Sequence, residues 1–245
     1  MAAFFITGTD TDIGKTYVAV ALLNAANQSG FSTLGLKPVA AGCEATVDGL
    51  RNSDALALQA ASSIKLSYEE VNPIALPAAC SPHLAAAEAG RRLTINQLSG
   101  FCRGSLSHRA DLALIEGAGG WRVPINDREM LSALPKALGV PVILVVGMRL
   151  GALNAAFLSA EAILKDGLRL VGWVANIIDP EMLKLDDNIE TLKRWLPAPC
   201  LGVLPWAPEG DTITAASHLD LTALSLKARP SSVCPREYRT FESIH

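Results

Sequence analysis

The constraint that most limits what this chain can fold into is a short apolar strand that breaks into a glycine-flanked loop. Ala3-Phe4-Phe5-Ile6 runs through Thr7 into Gly8-Thr9-Asp10-Thr11-Asp12-Ile13-Gly14-Lys15-Thr16, and a helical pattern follows at once. In a strand–loop–helix of this kind the loop's backbone N–H groups turn inward, and the helix aims its positive end at the same point. The result is a cradle for phosphates, in which Lys15 reaches the β/γ-phosphates and the Thr16 hydroxyl ligates Mg²⁺. The strict pattern allows four residues between its glycines. This loop has five, residues 9–13, and so belongs to a lengthened variant.

The rest of the chain is consistent with such a start. Near-continuous apolar runs of strand length recur at 3–6, 33–36, 111–115, 141–146, 170–175 and 200–203. Strands buried on both faces read this way. Helical patterns lie between them at 16–28, 54–62, 94–108, 130–138, 154–165 and 186–196. The alternation predicts a single α/β domain with a mainly parallel sheet and helices on both faces. Right-handed crossovers then line all the strand C-terminal ends along one rim, where ligands belong. The segment 39–92 is the least patterned, an insertion with one helix and many Pro and Ala. Residues 1–226 are expected to form the domain and 227–245 a mobile tail or an interaction arm, since 229–245, which includes Cys234, is rich in Pro, Ser and Arg.

Composition narrows the partners. With a net charge of −3 and no dense Lys/Arg run, the chain lacks the basic stripe that nucleic acid demands. The five cysteines, Cys43, Cys80, Cys102, Cys200 and Cys234, show no paired spacing, so neither a disulfide framework nor a zinc knuckle is expected. No signal peptide and no membrane-spanning run is visible, and a cytoplasmic, membrane-free protein is expected.

Several residue groups fall on the rim. Lys37 ends the second strand, and Pro38 restricts it to an extended conformation. It is either an edge lysine in water or a second cation facing an anionic substrate or the γ-phosphate. Asn52-Ser53-Asp54 reads as a helix start with Ser53 as N-cap, and Asp54 either complements the helix dipole or supplies oxygen to Mg²⁺. Glu116 leaves an apolar strand before the small residues Gly117-Ala118-Gly119-Gly120, which allow close backbone approach to a ligand. A carboxylate there is placed as a second metal ligand. Ser81-Pro82-His83 is explained as a helix start, and no chemistry is assigned to His83. Gly151 opens a helix whose N-terminal amides could take a carboxylate, and Asn176 ends a strand with an amide suited to a purine edge.

Taken together these segments resemble the dethiobiotin synthetase family, over about residues 4–226. The matching stretches are Thr7 through Thr16, Lys37-Pro38-Val39-Ala40, Arg51 through Leu56, Glu116 through Trp121, Pro141 through Gly147, Gly172 through Asn176 and Leu204-Pro205-Trp206. The resemblance implies a P-loop NTPase-type fold and an ATP- and Mg²⁺-dependent ligase that converts a diamine, 7,8-diaminononanoate, and CO₂ to dethiobiotin through a carbamate and a carbamic–phosphoric anhydride. It implies catalytic roles for Lys15, Lys37 and Thr11, and metal ligation by Thr16, Asp54 and Glu116. ATP would contact Asp12, Ile13, Gly14, Lys15, Thr16, Tyr17, Glu116, Gly119, Asn176, Pro205 and Trp206. The substrate would contact Thr11, Lys37 and Ala41, with Gly151, Ala152, Leu153 and Asn154 of a second subunit in a homodimer. Ala41 stands where the family often has serine, Ala152 and Ala156 replace bulkier or polar residues, and the segment around Asn188 lacks a tyrosine that some members carry. Two relatives of this fold are disfavoured. Partition and septum-positioning ATPases place an extra lysine early in the loop, where this chain has Thr9 and Asp10, and cobyrinate-type ligases carry a glutaminase domain not seen here.

Overall fold

Side-chain alternation sorts the buried strands between two cores. Phe4, Ile6, Leu112, Leu114, Ile143 and Val145 enter one apolar cluster, and Phe5, Ala113, Ile115, Val142, Leu144 and Val146 enter another. Successive residues of a strand point to opposite faces. A single sheet therefore separates the two clusters.

A computed structural model describes residues 1–207 and 210–227; the expected tail at 227–245 lies, from residue 228 on, outside the described residues. The first half contains β1 (Ala2–Gly8), α1 (Lys15–Gln28), β2 (Thr33–Leu36), β3 (Val39–Ala40), β4 (Glu44–Thr46), β5 (Gly49–Arg51), α2 (Ser53–Ala61), α3 (Tyr68–Val71), β6 (Ile74–Ala75), α4 (Pro82–Glu88) and α5 (Ile95–Leu106). The second contains β7 (Leu112–Glu116), α6 (Ala133–Leu138), β8 (Val142–Met148), α7 (Ala152–Lys165), β9 (Leu170–Ile177), α8 (Leu185–Trp195), β10 (Cys200–Leu204) and α9 (Thr212–Ala216). The main sheet has the order β10-β9-β8-β1-β7-β2, and every pairing in it is parallel.

This is the predicted α/β architecture, and all six expected strands form it. Register carries the functional ends to one rim: Ile6 pairs with Glu116, Gly8 with Val145, and Gly147 with Asn176. The loops after β1, β7, β8 and β9 therefore emerge side by side.

The structure departs from the sequence reading mainly between residues 39 and 92. Instead of one helix, this segment holds α2, α3 and α4, a parallel pair β3–β6 and a hairpin β4–β5. Strands of two or three residues are too short for apolar periodicity to register. The N-cap of α2 is Asn52, whose side chain accepts from the Ala55 amide, and not Ser53. The helix expected at 130–138 begins only at Ala133, because Met130 is bridged to Pro124 and the Leu131 amide bonds the Val123 carbonyl.

Trp173 is fully buried in β9, and its Nε1 donates to the Ala198 carbonyl at 3.2 Å. Trp173→Ala opens a cavity and frees that carbonyl, and should lower unfolding stability by about 3–5 kcal/mol. Denaturant titration of the two proteins measures this; a loss below about 1 kcal/mol would show that the neighbouring side chains collapse into the space.

Candidate nucleotide site

The loop after β1 is built for an anion. α1 begins at Lys15 with Gly14 at its N-cap in the left-handed region, φ 81°, and no side chain caps its first amides. Those N–H groups are left to a ligand. Asp12 also has positive φ, 54°. A Cβ on Gly14 would lie 2.2 Å from Asn176 Nδ2, so glycine is required here by space as well as by conformation. Asn176 is buried, and its Nδ2 donates to the Ile13 carbonyl at 2.9 Å, tying the loop to the end of β9. The Lys15 ammonium donates to the Asp10 carbonyl at 2.8 Å.

A buried ionic cluster faces this loop. Glu116 is fully buried at the end of β7; its Oε1 accepts from Thr16 Oγ1 at 2.8 Å and from Lys37 Nζ at 2.5 Å. Lys37 Nζ also donates to Asp54 Oδ2 at 2.9 Å and to the Gly117 carbonyl at 3.2 Å. Lys37 is thus not an edge lysine in water. Burial works against its charge, but the Glu116 and Asp54 carboxylates more than offset this and hold its pKa above the ordinary value. Burial likewise opposes the Asp54 charge, and Lys37 outweighs it, keeping Asp54 below the usual carboxylate range. Lys15 is shifted the other way: burial, then repulsion from Lys37, lowers its pKa despite three nearby carboxylates.

Glu116 Oε2 is buried with no hydrogen-bond partner. An orphaned carboxylate oxygen beside a threonine hydroxyl and a second carboxylate suits a hard divalent cation. Among the described residues no group of three or more His, Cys, Asp or Glu could hold a metal. The set Thr16, Asp54 and Glu116 nonetheless fits Mg²⁺ by the chemistry of its oxygens, since Mg²⁺ needs only one or two carboxylates when phosphates and water complete its shell.

A cavity of about 850 Å³ brings together Thr11, Asp12, Gly14, Lys15, Thr16, Lys37, Ala41, Asp54, Glu116 and Gly119, all residues singled out in the sequence. Others fall elsewhere. Ile13 is buried beneath the loop, and the Tyr17 hydroxyl donates to the Asp211 carbonyl at 3.3 Å. Pro205 and Trp206 are exposed beyond β10. Gly151 and Ala152 line a second cavity of about 230 Å³ with Asp10 and Arg149, Leu153 is half-buried and Asn154 exposed.

Two residues that sequence reasoning passed over fix this cluster from behind. Asn72 Nδ2 donates to the Lys37 carbonyl at 2.6 Å, and Tyr68 Oη donates to Asn72 Oδ1 at 3.0 Å while accepting from the Asn52 amide at 2.8 Å. Lys37 and the Asp54 helix are thereby held by one hub. The only sequence signal was the capping box Ser67–Glu70 that starts α3.

Solved structures share the architecture. A MinC:MinD cell division complex from Aquifex aeolicus matches with TM-score 0.54 and 18% identity over 88% of this chain and 86% of that one. MinD alone from the same organism gives TM-score 0.52 and 16% identity over 90% and 88%. Likeness at this identity concerns the fold alone. Fold and phosphate loop together define a P-loop nucleotide-binding protein, and residues 2–214 match the family described as AAA domain (AAA_26). ATP-dependent dethiobiotin synthetases from Cellvibrio japonicus and Pseudomonas paraeruginosa are 60% and 57% identical over 91% and 92% of this chain and 97% and 99% of theirs; that of Marinobacter nauticus is 54% identical over 85% and 90%. The chain belongs to the ATP-dependent dethiobiotin synthetase family and is an ATP-dependent ligase.

Gly14→Ala forces an L-residue into the left-handed region and displaces Asn176. ATP affinity should fall by about 5- to 30-fold, as a strain of about 1–2 kcal/mol implies. Titration calorimetry would detect it, and unchanged affinity would mean that the loop need not keep this conformation to bind.

Proposed function

We propose that this chain carboxylates and cyclises 7,8-diaminononanoate to dethiobiotin, consuming ATP. The observation that carries the reading is Lys37, buried on two carboxylates across the cavity from the phosphate loop, a second cation besides Lys15 and beside a bulky enough space for a small diamine.

One amine adds to CO₂ and loses a proton, giving a carbamate. A carbamate oxygen attacks the γ-phosphorus, the bond to ADP breaks, and a carbamic–phosphoric anhydride results. The second amine attacks the carbamoyl carbon, phosphate leaves, and the five-membered urea closes. No protein nucleophile is needed, and the enzyme's contribution is position and charge. Lys15 neutralises the triphosphate and Lys37 the carbamate and γ-phosphate, while the Thr11 hydroxyl donates to the carbamate. The amides of residues 12–16 hold the phosphates. Thr16, Asp54 and Glu116 would hold Mg²⁺, which supplies charge neutralisation on the phosphate oxygens. Asn176, Pro205 and Trp206 would face the adenine.

Gly151 and Ala152 line the smaller cavity and not the main one, and Leu150 beside them is 92% exposed. This placement supports a homodimer in which the Gly151–Asn154 turn serves the substrate of the other subunit through its helix N-terminus. The missing tyrosine near Asn188 then leaves the substrate's carboxylate with fewer partners.

Mass spectrometry of the protein with the diamine, bicarbonate and Mg·ATP should show dethiobiotin, with phosphate released only when the diamine is present. Phosphate release without the diamine and without a cyclic urea would replace the ligase reading by that of a switch ATPase. Lys37→Ala should keep most nucleotide affinity and lose about 10²-fold or more in turnover, as removal of a transition-state charge contact does. Unaltered turnover would take Lys37 out of the mechanism.

A further inference from the structure

Just beyond the Gly117–Gly120 loop, three donors converge on one carboxylate. Trp121 Nε1 donates to Asp166 Oδ2 at 2.9 Å, and Arg122 reaches Oδ2 at 2.6 Å and Oδ1 at 2.9 Å through its two terminal nitrogens. Asp166 is the C-cap of α7, and Trp121 is 4% exposed. An exposed Arg–Asp pair alone stabilises little. Here the same carboxylate satisfies a buried indole N–H, which removal of Asp166 would leave unpaired.

What the clamp holds is the wall of the main cavity. After Glu116, the Gly117 amide donates to the Ile6 carbonyl at 2.9 Å and its own carbonyl accepts from Lys37. The ring of Phe5 stands edge-on to Trp121 at 6.3 Å, and a Cβ on Gly117 would lie 2.9 Å from that ring. Between these anchors the loop passes so close to the phosphate loop that a Cβ on Gly119 would lie 3.5 Å from Thr11 Oγ1, and one on Gly120 3.5 Å from the Gly8 carbonyl. Residues 117–120 are therefore a short span fixed at one end by the sheet and at the other by Trp121.

We propose that Asp166 is a positioning residue for the ligase reaction: through Trp121 and Arg122 it holds the 117–120 wall against Lys37 and Thr11, and so shapes the space for the diamine. This rests on the reading that Lys37 and Thr11 address the carbamate. Trp121, Arg122 and Asp166 make their side-chain hydrogen bonds to one another and to Ser132, not to residues 12–16, the loop proposed to hold the phosphates. The clamp acts on the wall of the main cavity that Ala118, Gly119, Gly120 and Val123 line, of which Gly119 is also an expected nucleotide contact.

The test is steady-state kinetics of the full chain with the diamine, bicarbonate and Mg·ATP, together with calorimetric ADP binding, for wild type, Asp166→Ala and Asp166→Asn. In Asp166→Ala the diamine KM should rise by about tenfold, the scale of one lost charge-assisted contact, with the ADP Kd held within about twofold. Asp166→Asn, which keeps an acceptor for Trp121, should fall between. A smaller folded fraction lowers kcat and leaves KM alone, so the KM shift separates positioning from simple destabilisation. A diamine KM unchanged in both variants of an active wild type overturns the clamp and leaves the ligase reading intact. A parallel rise in diamine KM and ADP Kd overturns it in favour of general loosening. A wild type that makes no cyclic urea overturns the ligase reading itself, and the positioning role with it.

Discussion

The buried contact between Lys37 and Glu116 is the interaction on which the site depends. Glu116 is fully buried and Lys37 is 5% exposed, so either charge alone would be left in a medium that solvates it poorly. Their pairing at 2.5 Å, with Asp54 and the Gly117 carbonyl completing the ammonium's shell, makes both charges tolerable. It also sets where four elements end, since the cluster joins the ends of β2 and β7 to the first turns of α1 and α2 through Thr16 and Asp54. A buried ion pair is weak evidence for stability, and its use here is to hold charge ready in a fixed place.

Strand order explains how these charges meet. β1 lies between β8 and β7, with β2 beyond β7. The chain leaves β1 through α1 toward β2 on one side, while β8 and β9 continue the sheet on the other. Such a reversal opens a crevice at the strand ends, where α/β sheets bind ligands. The phosphate loop sits in that crevice with Glu116 on one flank and Asn176, two strands away on the other, hydrogen-bonded to the Ile13 carbonyl.

Much of this was legible in the sequence because it is local. The Gly8–Thr16 loop, the six apolar strands and the carboxylate at the end of β7 each declare themselves within ten residues or so of chain, by period or by spacing. Residues whose role depends on a distant partner did not. Tyr68 and Asn72 lie on and beside a four-residue helix and matter because Lys37 and Asn52 come to them across 35 and 16 positions. Asp166 meets Trp121 over a separation of 45. Asn52 and Ser53 are both good N-cap residues, and only the backbone decides which of two adjacent residues stays extended. The environment of Lys37 is hidden from the sequence for the same reason: sequence places it at a strand end, and the fold decides what faces it.

The two lysines of the cavity differ in a way that suits them to different tasks. Lys37 has its countercharges built in, and its ammonium is stabilised before any ligand arrives. Lys15 does not: burial and the neighbouring Lys37 both weigh against its charge, and its ammonium rests on a neutral backbone carbonyl, that of Asp10. An incoming triphosphate relieves the second lysine far more than the first. In the proposed reaction, binding of the triphosphate is drawn chiefly from Lys15 and the uncapped amides of α1. In the proposed reaction, Lys37, already satisfied, gains little from ground-state binding unless it gives up a carboxylate, and its charge is worth most where new negative charge appears between carbamate and γ-phosphate. A contact that strengthens only as the reaction proceeds accelerates it, whereas one made equally throughout does not. In the proposed reaction, the asymmetry set by burial and neighbours gives the two lysines of one cavity different shares of ground-state and transition-state contact.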